Sequence, residues 1–213
     1  MNIGLLPGLL IAYVIGMIPT AYLVLKFSHG KDIRQEGTGN VGAMNTYDVT
    51  GSRWLGIITF VIDALKGVLA VCVAQWIYGD WFLAKAVMGT AVIGGHNFNL
   101  LLKGKGGRGL STATGVFAVV NPFVILLWDL MYLTGYFAIK RNQHVGNVVG
   151  TIGLAVLIFS TPERVLRMTT LVTMDNPTEL KLFVFASCVV IFLRHIGPMR
   201  ELVAAASREE DQD

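Results

Sequence analysis

The sequence predicts an all-α, polytopic integral membrane protein of about seven transmembrane helices, with the N-terminus outside and the C-terminus cytoplasmic. Three observations carry that expectation. Hydrophobic residues make up 54% of the 213 positions and charged ones only 15%, with a mean hydropathy of +0.60; soluble domains carry about a quarter charged residues. Several apolar runs reach the roughly 20 residues that cross a hydrocarbon core. Once those runs are laid out as spans, twelve Lys and Arg residues fall at the exits of odd-numbered spans and three in the loops opposite. Such a bias places the cation-rich side in the cytoplasm.

The first span runs from Leu5 to about Leu25, with Pro19 near its exit and Tyr22 in its last turn. It lacks a basic n-region and is too long for a signal-peptide core, so it is read as retained. Residues 26–54 form a long polar loop, and Leu55–Ile77 the second span, ending at Tyr78-Gly79-Asp80. Phe82–Leu102 is the third. The apolar stretch 110–139 is broken at Asn121-Pro122, because proline cannot continue a helix interior and pushes its predecessor out of the α region. It therefore divides into Leu110–Val120 and Pro122–Ile139. Val145–Phe159 and Leu180–Leu193 complete the spans, and residues 160–179, with Pro162, Asp175, Asn176 and Pro177, read as a polar connection with room for one interfacial helix.

Residues 1–206 are expected to form one domain and 207–213 an acidic solvated tail. Gly16, Gly56, Gly89 and Gly115 lie inside spans, where small residues let helices approach closely. Cys72 and Cys188 each stand alone in an apolar run and read as buried reduced thiols. Asp129 reads as a lone buried acid bonded to another helix. Asp63 and Lys66, three apart on the second span, face each other across one turn. An intramembrane charge pair flags function, and a structural pair that satisfies itself is the alternative.

Two glycine-rich segments lie on the cation-rich side. In Gly94–Ser111 an apolar run passes through His96 and two Asn residues into Lys103, Lys105 and Arg108 interleaved with glycines. In Gly37–Asn45 small residues alternate with hydrogen-bonding ones. Backbone N–H groups and cations at such places suit a phosphate. Plain turns and topology-fixing charge are the other readings. Neither segment is a dinucleotide fingerprint or a Walker A loop, since Gly109 is followed by Leu110 and Ser111. A transporter would thread charge through the bundle, whereas here charge gathers on one side. No metal-ligand cluster stands out, so neither a metal nor a cofactor is implied, and nothing points to nucleic acid.

Five pieces in order resemble one family. They are Asp32-Ile33-Arg34 followed by GTGNVGAMN, Asp63-x-x-Lys66-Gly67, Gly95-His96-Asn97-Phe98, Lys105-Gly106-Gly107-Arg108-Gly109, and Arg194-His195. Together they resemble the acyl-phosphate-dependent glycerol-3-phosphate acyltransferases (PlsY type), seven-helix enzymes of bacterial phospholipid synthesis. The resemblance implies transfer of a fatty acyl group from acyl phosphate to the 1-hydroxyl of glycerol 3-phosphate, giving lysophosphatidate and phosphate, at the inner (plasma) membrane with the site loops cytoplasmic. An acyl phosphate is already activated, so the protein's task is to hold two phosphates, orient a hydroxyl and stabilise an oxyanion.

On that reading His96, Arg108 and His195 are the candidate catalytic residues, and the attacking hydroxyl's proton goes to a histidine or to a substrate phosphate oxygen. Thr38, Gly39, Asn40, Gly42, Asn45, Lys105, Gly106, Gly107, Gly109, Ser111, His144, Asn147 and Arg194 are the candidate phosphate and substrate binders. The chain departs from the family pattern on the acceptor side. Arg108 replaces the usual Lys, Asp48 stands where an Arg is common, His144 and Asn147 replace a serine pair, and Pro198 replaces an Asn. Arg53, Lys140, Arg141 or His144 could offset Asp48. A relative with a changed acceptor, or one that only binds a lipid phosphate, is the alternative reading.

Overall fold

The computed structural model describes residues 4–139 and 141–210. Lys140, named above beside Asp48, and the last three residues of the acidic tail lie outside the described residues. Those described are helical or irregular, with no strand among them.

The chain enters through α1 (Leu5–Gly16) and α2 (Thr20–His29), parted at Met17–Pro19, where proline interrupts the hydrogen-bond ladder. The segment expected to be an irregular loop contains a 3-10 turn at Ile33–Gln35 and the helix α3 (Ala43–Thr50). Ser52 caps α4 (Arg53–Tyr78), its hydroxyl accepting the Leu55 N–H at 3.4 Å. Next, α5 (Phe82–Asn97) stops short of the expected Leu102, and a 3-10 turn at Leu100–Leu102 leads into the second glycine loop. The Asn121-Pro122 break separates α6 (Leu110–Val120) from α7 (Phe123–Ala138), as its sequence dictates.

Asn142 caps α8 (Gln143–Ser160) by accepting the His144 and Val145 N–H groups at 2.8 and 3.2 Å. A short α9 (Glu163–Thr169) lies in the polar connection. Asn176 and Pro177 begin α10 (Pro177–Leu193), the favoured cap-then-proline order. After α10 comes α11 (Ile196–Glu210), unanticipated from sequence, bent away by 47°.

Among the described residues three stretches, Leu5–His29, Arg53–Tyr78 and Gln143–Ser160, are long and apolar enough to cross a membrane, and α10 with α11 makes a fourth bent one. Their outer surfaces carry Val14, Leu65, Leu69 and Val156, an apolar exterior suited to hydrocarbon. Cys72 belongs to that exterior, correcting the expectation that it is buried; Cys188 is buried. Lys85 is also buried, and its ammonium reaches the Gly79 carbonyl at 2.7 Å, at the helix end.

Inside, α1 packs on α5, α4 on α6, and α7 on α8, around Val92, Val116, Leu180 and Val184. Gly115 and Gly16 make two of these packings possible. A Cβ on Gly115 would collide with the Ala64 carbonyl of α4, and one on Gly16 with the Val92 carbonyl of α5. These close backbone approaches hold α5 and α6, whose ends carry the second glycine loop, against α1 and α4.

Candidate active site

The first loop is braced from within. The Asp32 carboxylate accepts the Arg34 backbone N–H at 3.0 Å and its guanidinium at 2.9 and 2.6 Å. That side-chain bond holds the Asp32 carboxyl below the usual carboxylate range. Asn45 is buried across the loop's mouth. Its carbonyl oxygen accepts the Thr38 N–H at 2.9 Å, and its amide donates to the Glu36 and Asn40 carbonyls at 3.1 and 3.0 Å.

The Gly39 and Gly42 N–H groups are likewise taken by the Glu36 and Asn40 carbonyls. The expected cradle of free backbone N–H groups is therefore largely consumed by the loop itself, and Thr38 and Asn40 meet the open space instead. Asn45 acts as brace, not as lining.

The second loop is held from a distance. Arg194, at the end of α10, donates through Nε to the Gly107 carbonyl at 3.2 Å and through Nη2 to the Gly106 carbonyl at 2.7 Å. Gly107 N–H donates to the His96 carbonyl at 3.1 Å. A Cβ on Gly107 would strike the His96 ring and come within 2.6 Å of the Val41 carbonyl. Glycine is thus required for the two loops and His96 to meet. Donors for a ligand arise one step further on. Gly109 adopts φ +82° and starts α6, whose first N–H groups have no intrahelical partner. A helix N-terminus of this kind attracts anions.

Below the loops lies a buried trio from α4 and α5. The Lys66 ammonium sits 2.6 Å from Asp63 Oδ1, donates to the Ile18 carbonyl at 2.8 Å, and lies 3.5 Å from His96 Nδ1. An ammonium only donates, so His96 Nδ1 accepts and Nε2 carries the ring proton. The same logic applies above, where Arg108 Nη1 lies 3.2 Å from His144 Nδ1. Both histidines are thereby cast as N–H donors. Burial, with Arg194 nearby, draws the Arg108 guanidinium below its ordinary pKa, and burial does the same to Arg194.

Two cavities meet here and share Asn40 and Arg108. The smaller, about 340 Å³, is polar. Thr38, Gly39 and Asn40 form one wall, and Arg108, His144 and Arg194 the other. The larger, about 440 Å³, opens from Gly42, His96, Gly109, Ser111 and Asn147 and descends past Phe60, Trp128 and Tyr132. A narrow apolar pocket between α6, α7, α8 and α10 continues it, sharing Leu110, Thr114, Ile125 and Trp128.

Other expected residues are placed elsewhere. Lys105 is exposed and lines neither cavity, and Gly106 and Gly107 are buried behind the lining. His195, expected to be catalytic, is buried away from both cavities; its Nδ1 donates to the Ile191 carbonyl at 2.9 Å. Asp48 is exposed on α3 outside both cavities, so the acid does not face a bound anion. Arg53 and Arg141 are exposed too and line neither. Pro198 does line the smaller cavity. Asp129, expected to be bonded to another helix, is exposed on the wall of the larger one.

Sequence reasoning missed Asp63 as a lining residue and Glu201 altogether, the latter because no helix was expected after the last span. The spacing of Met199, Leu202 and Val203 around Glu201 is the helical signal that was there to use.

The comparisons agree with this architecture. The family model described as "Glycerol-3-phosphate acyltransferase" matches residues 6–205. A glycerol-3-phosphate acyltransferase of Syntrophotalea carbinolica is 30% identical, covering 94% of this chain and 95% of its own. One of Trichlorobacter lovleyi is 34% identical, covering 92% and 93%. The crystal structure of PlsY, an integral membrane glycerol 3-phosphate acyltransferase, in its glycerol 3-phosphate form superposes with a TM-score of 0.75 at 27% identity, covering 94% of this chain and 92% of that one. Its lysophosphatidic acid form gives 0.74 at 26%, with the same coverage. This chain belongs to the glycerol-3-phosphate acyltransferase family.

Proposed function

We propose that the protein transfers a fatty acyl group from acyl phosphate to the 1-hydroxyl of glycerol 3-phosphate, releasing lysophosphatidate and inorganic phosphate for phospholipid synthesis. The observation that carries this is the shared wall of the two cavities, where a single guanidinium, Arg108, faces both. One phosphorylated reactant enters each side. The acceptor's phosphate lies among Thr38, Gly39, Asn40, His144 and Arg194. The acyl phosphate rests at the N-terminus of α6 by Gly42, Gly109, Ser111 and Asn147, its chain descending between α6, α7 and α8.

The acceptor oxygen attacks the carbonyl carbon, the bond from that carbon to the phosphate oxygen breaks, and the hydroxyl's proton leaves with the phosphate. Arg108 and the His96 Nε2–H stabilise the developing negative charge. The Asp63–Lys66 pair holds His96 in that tautomer. Asn45, Gly106, Gly107 and His195 act by positioning, and Lys105 by attracting anions from outside.

The cation bias supports seven spans with the N-terminus outside, the C-terminus inside and both loops cytoplasmic, in the inner (plasma) membrane. Residues 1–206 act as one domain. Glu201, opposite Arg108 in the acceptor cavity, favours a second reading in which the acceptor is a different phosphorylated alcohol.

Purified protein with palmitoyl phosphate and glycerol 3-phosphate should release phosphate, and acyl-CoA should not substitute. Arg108→Ala should lower turnover by roughly 10²–10³, as loss of an oxyanion donor does, and Arg108→Lys by less. Full turnover in Arg108→Ala would end this reading. Turnover with another phosphorylated alcohol in place of glycerol 3-phosphate would select the second.

A further inference from the structure

Asp129 is a carboxylic acid in the middle of α7, where its neighbours along the chain are Leu, Trp, Met and Tyr. Acids inside apolar spans are expensive and pair with a cation or a donor when their role is structural. Asp129 makes no ion pair or hydrogen bond among the described residues, although Tyr132 stands one turn along and Trp128 is adjacent. Trp128 is committed elsewhere, its indole N–H donating to Thr151 at 3.3 Å. Asp129 lines the larger cavity, the one that starts at Arg108 and His96.

Depth follows from the packing of α7 on α8. Gly146 faces Tyr132, and Gly150 faces Trp128, so the direction from Tyr132 toward Trp128 leads away from the polar mouth at His144 and Asn147. Asp129 lies three residues before Tyr132, about 4.5 Å deeper along the helix. Resting on the acyltransferase reading above, this is the path of the acyl chain just beyond its reacting carbonyl. A plain alkyl chain there offers the carboxyl no donor, and an acceptor covered without a partner is costly.

We propose that Asp129 is a specificity residue that accepts a hydrogen bond from a hydroxyl group on the carboxyl-proximal part of the acyl chain, so that hydroxylated acyl phosphates are preferred donors. A site that hydrogen-bonds a substrate hydroxyl discriminates against the analogue lacking it, because its own polar group is then left unpaired. The stacked rings of Trp128, Tyr132 and Tyr136, with centroids 5.1 and 5.8 Å apart, make the wall beside it rigid.

The test compares kcat/KM for 3-hydroxypalmitoyl phosphate with that for palmitoyl phosphate in the full-length protein, then repeats it with the hydroxyl moved along the chain. For at least one position the wild-type ratio should exceed the Asp129→Leu ratio by about tenfold. Asp129→Asn, whose amide oxygen still accepts, should keep part of the preference. Because each ratio is taken within one preparation, a loss of folded protein cancels. Equal ratios in wild type and Asp129→Leu at every position, with palmitoyl phosphate still turned over, overturn the assignment and leave the acyltransferase reading standing. A wild-type protein inert toward every acyl phosphate overturns both.

Discussion

The loop of residues 32–45 is held by its own side chains, with Asn45 reaching back only five to nine positions and Asp32 reaching forward two. The loop of residues 103–109 closes locally only as far as Lys105, whereas its glycines Gly106 and Gly107 are held by Arg194, 87 and 88 residues away, and by the His96 carbonyl. One is a preformed turn that can be docked as a unit. The other takes its shape at Gly106 and Gly107 only when α5 and α10 are already packed. They touch at Gly107, whose missing side chain leaves room for both His96 and the Val41 carbonyl. A locally closed loop tolerates change around it, whereas one clamped by distant helices transmits any shift in the bundle to the site.

The sharpest way to break this comparison is Gly107→Ala. The added Cβ must displace the His96 ring or the first loop, and in a close-packed interior neither yields freely. Displacement of a catalytic group by about 1 Å costs roughly 10²-fold. Acyl transfer should fall by at least that much, measured as phosphate release, while the protein still extracts as a folded species in detergent. Near-normal turnover would mean that the two loops do not need to meet at this point.

Arg194→Ala should come next. It removes both bonds to the Gly106 and Gly107 carbonyls and a cation from the acceptor cavity, so KM for glycerol 3-phosphate should rise and kcat should fall, together by roughly 10²-fold. Arg194→Lys keeps charge but loses the planar fork that spans two carbonyls. It should recover affinity more than kcat, and that split in steady-state kinetics separates clamping the loop from binding the phosphate. Equal recovery of both would reduce Arg194 to a point charge.

The same contrast explains what was legible in the sequence. The Asn121-Pro122 break, the caps at Asn142 and Asn176 and the in-span glycines are local signals, and each marks a helix boundary or a close packing that the structure contains. Within the first loop the residue types were readable, yet their use was not. Gly and Asn suggested N–H groups pointing at a ligand, and the loop spends most of them on itself. The link from Arg194 to Gly106, the burial of His195, and the exposure of Asp129 and Cys72 depend on how helices rotate against each other. Hydropathy is nearly uniform around these helices, so no periodic signal fixes that rotation. α11 was missed for a different reason, since its polar residues after the last apolar run carry no hydropathy signal of a span.

A smaller effect sharpens the comparison from the other side. Asn45→Ala deletes all three cross-loop bonds and leaves the Thr38 N–H and two carbonyls to find other partners. Buried groups deprived of partners cost about 1–3 kcal/mol. Because the brace is local, the loss should appear mainly as a lower melting temperature in detergent, with activity at low temperature reduced less than in Gly107→Ala. If Asn45→Ala instead matches Gly107→Ala in activity while melting normally, the side chain is a ligand and the self-braced description of the first loop fails.

The smallest effect concerns Asp48, just beyond that brace. By resemblance to the family an arginine is common here, so Asp48→Arg would restore a phosphate-binding cation if the position faced the acceptor. In the structure Asp48 is exposed on α3 and outside both cavities. Its charge reaches the acceptor only through solvent, where exposed charges more than about 8–10 Å apart are largely screened at physiological salt. Reversing the sign should therefore change kcat/KM for glycerol 3-phosphate by less than about threefold, and the difference should shrink further as salt is raised. A salt-insensitive gain of tenfold or more would put residue 48 in direct contact with the acceptor. The first loop and α3 would then have to swing together toward Arg108 when substrate binds, and a loop closed by its own hydrogen bonds can do so only as a rigid body.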